Sequence, residues 1–286
     1  ISSYFGDGAR WGVAMNHITA EADYGTAGAV KSSEARLTET FLVISADIIT
    51  DFDLPRAIEF HKERKAAVTI VLTRVPNPLQ YGIVITEEDG RIVRFLEKPG
   101  WGEVFSDTIN TGIYIIEPEV LSLIPAKKNF DFSKNLFPTM LQRGDRLFGY
   151  VAEGYWKDVG NLDEYLNVHL DILEGKVRID FDGVKAGDRN VWIGEDSRVD
   201  YTADLERVLL GKECVVGAGV NLKNVVVGDG CVIGDGSVIQ SSVLWPRVAV
   251  GKGARILENI IGFDAKVHDG AFLAERAVIS DHCIIG

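Results

Sequence analysis

Aliphatic residues recur every six positions in the C-terminal part of the chain, and this is the most regular pattern in the sequence. Three such positions form a group, and each group restarts after five residues, which gives a longer period of 17 residues. The aliphatic positions are Ile193, Val199, Leu205, Leu210, Val216, Leu222, Val227, Ile233, Ile239, Leu244, Val250, Ile256, Ile261, Val267 and Leu273. Small residues lie four places after many of them, at Ser197, Cys214, Cys231, Ser237, Ala254, Ala265, Ala271 and Ala277. Hexapeptides of this kind predict a parallel β-helix, in which each coil is a triangle of three short strands.

The preceding part of the chain has another rhythm, in which apolar runs alternate with helical patterns up to about Gly175. This alternation is typical of an α/β domain with a largely parallel sheet and helices on its faces. The predicted elements are a buried strand at residues 41–46, a helix capped by Asp53, a strand at 67–72, a hairpin at 83–96 and a closing helix capped by Asn161. We therefore predict an α/β domain at residues 1–178 and a β-helix domain at residues 179–286.

Composition narrows the classes of partner. Asp and Glu number 42 against 30 Lys and Arg, and the resulting charge of −12 argues against nucleic acid, which binds mainly through basic side chains. Every apolar run is shorter than the roughly 18 residues that span a bilayer, so no membrane segment is expected. Cys214, Cys231 and Cys283 form no Cys-x-x-Cys pair and lie at or near small inward positions of the predicted coils. Three cysteines of this kind fit a reducing cytoplasm.

Two acidic residues stand where an α/β sheet commonly binds ligands. Asp47 comes directly after a buried strand, at its carboxyl end, and Asp158 precedes the last helix of this part of the chain. Two carboxylates that are distant in sequence would suit Mg²⁺, which binds through one or two protein carboxylates together with phosphate oxygens. A turn former or a helix cap is the alternative interpretation of each residue.

Two further segments carry candidate polar chemistry. Glu97 and Lys98 end a predicted strand at a proline, so Lys98 could hold a phosphate and Glu97 could accept hydrogen bonds from hydroxyls. A surface ion pair at the end of a strand is the alternative. Gly25 and Thr26 begin a turn of small residues before a helix, and the amides of this turn could face an anion or the edge of a base.

Seven short motifs occur in a fixed order along the chain. They are Tyr4-Phe5-Gly6-Asp7-Gly8, Gly25-Thr26-Ala27-Gly28-Ala29, Ala46-Asp47, Tyr81-Gly82-Ile83-Val84, Phe95-Leu96-Glu97-Lys98-Pro99, Asn110-Thr111-Gly112 and Trp156-Lys157-Asp158-Val159-Gly160. With the hexapeptide array, they resemble the sugar-phosphate nucleotidyltransferase family over essentially the whole chain. The resemblance is strongest to its mannose-1-phosphate guanylyltransferase branch, in which a left-handed β-helix follows a Rossmann-like transferase domain.

The resemblance implies a reaction and a set of site residues. A sugar 1-phosphate oxygen attacks the α-phosphorus of a nucleoside triphosphate, which yields an NDP-sugar and pyrophosphate; GTP and GDP-mannose are the expected nucleotide and product. Metal charge and alignment would supply most of the catalysis. The matching positions are Asp47 and Asp158 for Mg²⁺, Lys98 for the sugar phosphate, Glu97, Asn110, Thr111 and Gly82 for the sugar, and Gly25 and Thr26 for the nucleobase.

The resemblance also sets expectations for the chain as a whole. The family's N-terminal glycine-rich loop, which grips the triphosphate, would precede Ile1, so we expect residues 1–286 by themselves to be inactive. We expect the β-helix to be an assembly element that forms a homo-oligomer through its flat faces; docking on the transferase domain is the alternative. One alternative is a catalytically silent relative that binds a nucleotide sugar and regulates a partner. Another is an acyltransferase, which would need His268 or His282 as a base.

Overall fold

The computed structural model describes residues 1–19, 21–179, 181, 183–274 and 276–286. These residues form two compact units. The first comprises Ile1–Ile48 and Phe52–Trp156, and the second comprises Ile49–Asp51 and Lys157–Gly286. Within the described ranges, no helix combines the length and the apolar character that crossing a membrane requires.

The elements of the α/β part are short and irregular in spacing. Its strands are β1 (Phe41–Ile44), β2 (Ile48–Thr50), β3 (Val68–Arg74), β4 (Gly82–Thr86), β5 (Ile92–Glu97), β6 (Thr108–Ile116), β7 (Leu147–Val151) and β8 (Trp156–Asp158). Its α-helices are α1 (Ser2–Phe5), α2 (Gly25–Lys31), α3 (Leu54–Arg64) and α4 (Phe137–Arg143). Short 3₁₀ turns are formed by Ala9–Trp11, Glu34–Arg36, Trp101–Glu103 and Pro118–Leu123, and a single π-helical turn is formed by Phe132–Leu136.

The main sheet of the first unit is mixed. Its strands lie in the order β5-β4-β6-β3-β7, and β1 also pairs with β6. The pair β3–β7 is parallel, whereas β6 runs antiparallel to β1, β3 and β4. The sheet therefore differs from the largely parallel one that the alternating pattern predicts, because β6 returns antiparallel beside β3 and the β4–β5 hairpin extends the sheet. The hairpin itself is confirmed.

Helices cover both faces of this sheet. On one face, Phe137 and Met140 of α4 are fully buried against strand residues such as Ile70. On the other face, Ala57 of α3 packs with Val71. The predicted start of α3 is confirmed, since the Asp53 side chain accepts a hydrogen bond from the backbone N–H of Arg56 at 3.2 Å.

The second unit contains α5 (Leu162–Leu173) and a β-solenoid. The solenoid strands are β9 (Val184–Ala186), β10 (Val191–Ile193), β11 (Arg198–Val199), β12 (Asp204–Leu210), β13 (Val215–Val216), β14 (Asn221–Val227), β15 (Val232–Ile233), β16 (Val238–Leu244), β17 (Ala249–Val250), β18 (Arg255–Leu257), β19 (Ile260–Ile261), β20 (Lys266–Val267), β21 (Phe272–Leu273), β22 (Val278–Ile279) and β23 (Ile284–Ile285). Neighbouring coils pair in parallel, so Val199, Val216 and Ile233 lie in one column. The predicted β-helix is confirmed.

The small inward residues of the coils have a specific role. Ser197 Oγ donates a hydrogen bond to the Gly211 carbonyl at 2.8 Å, and Cys214 and Cys231 place their Sγ atoms 3.2 Å from the carbonyls of Gly228 and Trp245. Each bond reaches the carbonyl 14 residues further along the chain. The two cysteines are buried, so they serve as small core residues that also act as weak donors.

Helix α5 packs on an apolar column that faces outward from the solenoid. Val226, Val243 and Ile260 follow one another in register along this column, and Leu166 of α5 is buried against it. Asn161 caps α5, as predicted, by accepting the Glu164 N–H at 2.9 Å. Helix α5 therefore belongs to the second unit, whereas the sequence pattern groups it with the α/β domain. The domain boundary between residues 178 and 179 stays a prediction.

Candidate active site

Three of the predicted site residues meet at the end of the β4–β5 hairpin. Gly82 on β4 lies opposite Glu97 on β5 in the strand register. A Cβ atom at Gly82 would lie 2.7 Å from Glu97 Oε2, 2.9 Å from Phe95 Cζ and 3.5 Å from Asn110 Cβ. A side chain at position 82 would therefore require the Glu97 carboxylate and the Phe95 ring to shift, and the glycine lets Glu97 and Asn110 lie on either side of the same space.

The Asn110 amide is held by its own strand and by a neighbouring turn. Its Oδ1 accepts the Gly112 N–H at 3.0 Å. Its Nδ2 donates to the Tyr114 hydroxyl at 3.1 Å and to Ser133 Oγ at 3.2 Å. Both amide hydrogens are therefore engaged within the protein, and the free hydrogen-bonding capacity of Asn110 is that of an acceptor through Oδ1.

The surroundings of Glu97 disfavour its charged form. Partial burial raises the pKa of the Glu97 carboxyl, and the negative charge of Asp131 raises it further. Lys98, the Ser133 hydroxyl and Lys134 act in the opposite direction, but they do not cancel the increase. Burial also raises the pKa of Tyr114 to about 12, so its hydroxyl stays protonated at neutral pH.

The loop at Asp131 connects this group to the Gly25–Thr26 turn. The Thr26 hydroxyl donates to Asp131 Oδ2 at 2.8 Å and accepts the Phe132 N–H at 3.1 Å. Gly25 has a φ of +66°, and a Cβ atom there would lie 2.9 Å from the Phe130 carbonyl oxygen. The structure thus packs the turn against this loop, and the one hydrogen of the Thr26 hydroxyl is already used.

Lys98 and Thr111 lie beside this cluster in different environments. Lys98 is exposed, has a φ of +45° and donates its backbone N–H to the Tyr81 carbonyl at 3.2 Å. Thr111 is buried in an irregular stretch of β6, opposite Val71 and Leu72 of β3, and its hydroxyl donates to the Val71 carbonyl at 2.7 Å. The hydrogen of the Thr111 hydroxyl is therefore already used within the protein, and the Thr111 carbonyl accepts the Trp156 Nε1–H at 3.1 Å.

The two predicted metal ligands lie in different units. Asp47 is exposed in the turn after β1, where Ser45 donates its N–H to the Gly112 carbonyl at 3.3 Å. Asp158 is half-buried at the end of β8, which pairs with β2. Over the described residues, no group of three or more His, Cys, Asp or Glu side chains is placed to hold a metal ion. Two carboxylates fit Mg²⁺ when phosphate and water oxygens complete its coordination.

Sequence reasoning missed Tyr114, Asp131 and Ser133. Tyr114 follows Asn110 by four positions on β6, but the shift in register falls between them, so alternation along the strand could not have indicated their contact. Asp131 and Ser133 lie in and beside the π-helical turn, which has no periodic signal. The Asp131 side chain caps this turn by accepting the N–H groups of Ser133 at 2.8 Å and Lys134 at 3.0 Å.

Similarity to known proteins shows the family to which the chain belongs. Residues 1–175 match the family described as Nucleotidyl transferase, and residues 188–286 match the EIF2B subunit epsilon LbH domain. The chain therefore belongs to the nucleotidyl transferase family and carries a C-terminal β-helix of the LbH kind.

Its relatives differ in the substrates that their names state. The chain is 34% identical to the mannose-1-phosphate guanylyltransferase of Mycobacterium tuberculosis, over 60% of this chain and 48% of that protein. It is also 34% identical to the UTP–glucose-1-phosphate uridylyltransferase of Synechocystis, over 62% of this chain and 50% of that protein. It is 35% identical to the glucose-1-phosphate adenylyltransferase of Desulfitobacterium hafniense, over 48% of this chain and 36% of that protein. The chain spans about half the length of the first two of these relatives and 36% of the length of the third.

Proposed function

We propose that the protein transfers a nucleotidyl group from a nucleoside triphosphate to a sugar 1-phosphate. In the reaction, a phosphate oxygen of the sugar 1-phosphate forms a bond to the α-phosphorus, and the bond from this phosphorus to the bridging β-phosphate oxygen breaks. The products are an NDP-sugar and pyrophosphate. The observation that carries the proposal is the cluster of Gly82, Glu97 and Asn110, which offers hydrogen-bond acceptors to sugar hydroxyls in a chain of the nucleotidyl transferase family.

The proposed sugar contacts follow from the free groups of this cluster. Glu97 accepts hydrogen bonds from sugar hydroxyls, and Asn110 accepts one more through Oδ1, because its amide hydrogens are already engaged. Gly82 provides space beside the sugar, and the family resemblance assigns Thr111 to the sugar as well. Lys98 holds the sugar phosphate as a point charge.

The proposed triphosphate contacts rest on the family resemblance. Gly25 and Thr26 form the turn against the nucleobase, and Asp47 and Asp158 hold Mg²⁺. The metal, when bound, would neutralise phosphate charge, which is the main requirement of this chemistry. Asp47 is suited to this role because it is exposed and carries two acceptor oxygens at the end of β1.

We propose GTP and mannose 1-phosphate as the substrates and GDP-mannose as the product. Support comes from the relatives of several organisms that are named mannose-1-phosphate guanylyltransferases, such as one in Xenopus laevis at 39% identity. The uridylyl- and adenylyltransferase relatives define the competing substrates that a test has to include. We propose the cytoplasm as the site of the reaction, where thiols such as those of Cys214 and Cys231 stay reduced.

Pyrophosphate release by the complete natural protein tests the proposal. GTP, UTP, ATP, CTP and dTTP are each paired with mannose 1-phosphate and glucose 1-phosphate in the presence of Mg²⁺. We expect the highest turnover with GTP and mannose 1-phosphate, and a loss of at least about 100-fold in Asp47→Asn and Asp158→Asn. Turnover with another pair would correct the substrates only. Binding of GDP-mannose without turnover of any pair would contradict the enzyme and favour the silent regulatory relative.

We further propose that the protein forms homo-oligomers through one flat face of the solenoid. On this face Val215, Val232 and Ala249 follow one another in register, and Val215 and Val232 are 43% and 48% exposed. Arg198 and Lys266 lie at the two ends of this apolar column. Such a column is typical of a protein contact surface.

Sedimentation velocity tests the assembly. The Val232→Lys variant should sediment as a smaller species than the unaltered protein, because a charge would be buried in the interface. Lys223→Ala, on another face of the same solenoid, should leave the sedimentation coefficient unchanged. A single monomeric species for the unaltered protein would contradict the proposal.

A further inference from the structure

The Ser133 hydroxyl lies at the centre of the polar cluster and has no role in the proposed function so far. Its Oγ accepts a hydrogen bond from Asn110 Nδ2 at 3.2 Å, and the same Nδ2 donates to the Tyr114 hydroxyl at 3.1 Å. The Ser133 hydroxyl also lowers the pKa of the Glu97 carboxyl and that of the Tyr114 hydroxyl, so it lies beside both groups. Polar side chains from two strands, β5 and β6, therefore meet at or beside this one hydroxyl.

The position of Ser133 is fixed by the turn that carries it. Its backbone N–H donates to Asp131 Oδ1 at 2.8 Å. The preceding residue, Phe132, is buried, with its ring centroid 4.9 Å from that of Tyr114 and 5.8 Å from that of Phe137. The hydroxyl is thus held in place by the packing of Phe132 and by the Asp131 cap. A group that orients its neighbours needs such support.

The donors and acceptors of the cluster assign a direction to each hydrogen bond. Both Asn110 amide hydrogens are used, so Ser133 Oγ acts as the acceptor in that pair. The single hydrogen of the Ser133 hydroxyl can then point to the Glu97 carboxylate or to the Tyr114 oxygen. The ionised carboxylate carries only acceptors and is the stronger of the two, so we take it as the partner. This direction leaves Asn110 Oδ1 and the remaining Glu97 lone pairs as the acceptors that the cluster can offer.

We propose that Ser133 is a positioning residue for the sugar 1-phosphate, which fixes the Asn110 amide and donates to the Glu97 carboxylate so that both present acceptors to sugar hydroxyls. This inference rests on the proposed function. The groups that face Glu97 from the surrounding elements are Asp131, Lys98, Lys134 and Tyr114, together with Ser133. The pKa of Glu97 is raised by burial and Asp131, and the Ser133 bond lowers it. Loss of the hydroxyl should therefore raise this pKa further.

Steady-state kinetics of the complete natural protein test the role of Ser133. In Ser133→Ala, we expect KM for mannose 1-phosphate to increase about tenfold or more, as for a lost hydrogen bond to a charged group, while KM for GTP stays the same. The acid limb of kcat/KM for the sugar phosphate should move to higher pH, because the carboxylate is protonated earlier. Ser133→Thr, which keeps a hydroxyl, should restore both properties.

A matched control is available in the next helix. Thr139 Oγ1 donates to the Asn135 carbonyl at 2.8 Å, so Thr139→Ala removes a hydroxyl from the same region without touching the cluster. The proposal is overturned if Ser133→Ala behaves like Thr139→Ala, or if it changes the KM values of both substrates equally.

Calorimetric binding of mannose 1-phosphate and glucose 1-phosphate separates this inference from the reaction. If the unaltered protein binds a sugar phosphate but releases no pyrophosphate, the proposed activity fails. Calorimetry then still tests the role of Ser133: the role predicts weaker binding of the sugar phosphate by Ser133→Ala than by Thr139→Ala, and equal binding would contradict it. If the unaltered protein binds neither sugar phosphate, the role of Ser133 is contradicted as well.

Discussion

The solenoid and the polar cluster of the first unit use hydrogen bonds in opposite ways. In the solenoid one contact repeats: Asp229 accepts the Lys212 N–H at 2.8 Å, and Asp235 accepts the Ala218 N–H at 3.1 Å, each across 17 residues. In the cluster each contact occurs once, and Asp131 joins segments that are 105 residues apart in sequence. Repetition spreads stability over many equivalent bonds, whereas the cluster depends on single groups. Substitutions should therefore have larger effects in the cluster.

The largest effect is expected from Gly82→Ala. The new methyl group would lie 2.7 Å from Glu97 Oε2 and 2.9 Å from the Phe95 ring, so the carboxylate and the ring have to leave their positions. We expect kcat/KM for the sugar 1-phosphate to fall at least about 100-fold, because misplacement by about 1 Å can have that effect. Gly102→Ala is the control, since a Cβ atom there meets nothing within 4 Å. Equal activities of the two variants would show that Gly82 is not needed for the site.

The next largest effect is expected from Asp131→Ala, compared with Asp235→Ala in the solenoid, since both side chains accept backbone N–H groups. Asp131→Ala removes the acceptor for Thr26 and for two N–H groups of the π-helical turn. The free energy of unfolding of the first unit should fall by about 2 kcal/mol, as for a lost helix cap with further partners. Asp235→Ala, at an exposed solenoid turn, should cause a clearly smaller decrease. Urea unfolding, monitored in each unit by hydrogen exchange, measures the decrease for each variant. An equal or larger decrease in Asp235→Ala would contradict the comparison.

The same contrast explains how much the sequence could predict. Val216 and Ile233 are predictable because the neighbour of each is the same position of the adjacent coil, so local periodicity contains the tertiary contact. Gly82, Glu97 and Asn110 carry no such periodicity, and ordered motifs indicated them instead. Their mutual contacts depend on the β4–β5 register and on the course of β6.

Other contacts of the cluster could not be predicted from the sequence pattern. Ser133 contacts Asn110 across 23 residues from a turn without regular spacing. Thr111 and the glycine after it have no partners on β3, so the register shifts there by two residues, and the Thr111 hydroxyl is directed to the Val71 carbonyl. Alternation along a strand does not predict where such a shift falls.

The smallest effect is expected from Cys231→Ser in the solenoid. A hydroxyl can replace the thiol as donor to the Trp245 carbonyl, as Ser237 does to Gly251 at 2.7 Å, so the free energy of unfolding at pH 7 should change by less than about 1 kcal/mol. Burial raises the pKa of the Cys231 thiol to about 12. The thiol therefore stabilises the fold below its unfolded pKa of about 8.5, and this contribution is lost as the pH rises from there towards 12.

Urea unfolding at pH 7 and pH 10 measures this dependence. The serine variant should lose less stability at pH 10 than the unaltered protein, because it has no thiol that ionises on unfolding at this position. Ser237→Ala removes a similar hydrogen bond without removing a thiol, so it should keep the full alkaline decline. An identical pH dependence of Cys231→Ser and the unaltered protein would argue against a buried neutral thiol.

Substitution of Glu97 tests the central claim most directly, because this carboxylate is the acceptor on which the proposed sugar site depends. Glu97→Gln is compared with Glu88→Gln, which changes an exposed acid in the turn of the same hairpin. The measurement is pyrophosphate release by the complete natural protein as a function of mannose 1-phosphate concentration at saturating GTP and Mg²⁺. We predict that kcat/KM falls at least about 100-fold in Glu97→Gln and stays within about twofold in Glu88→Gln. Equal kcat/KM values for the two variants would contradict a sugar phosphate site at Glu97.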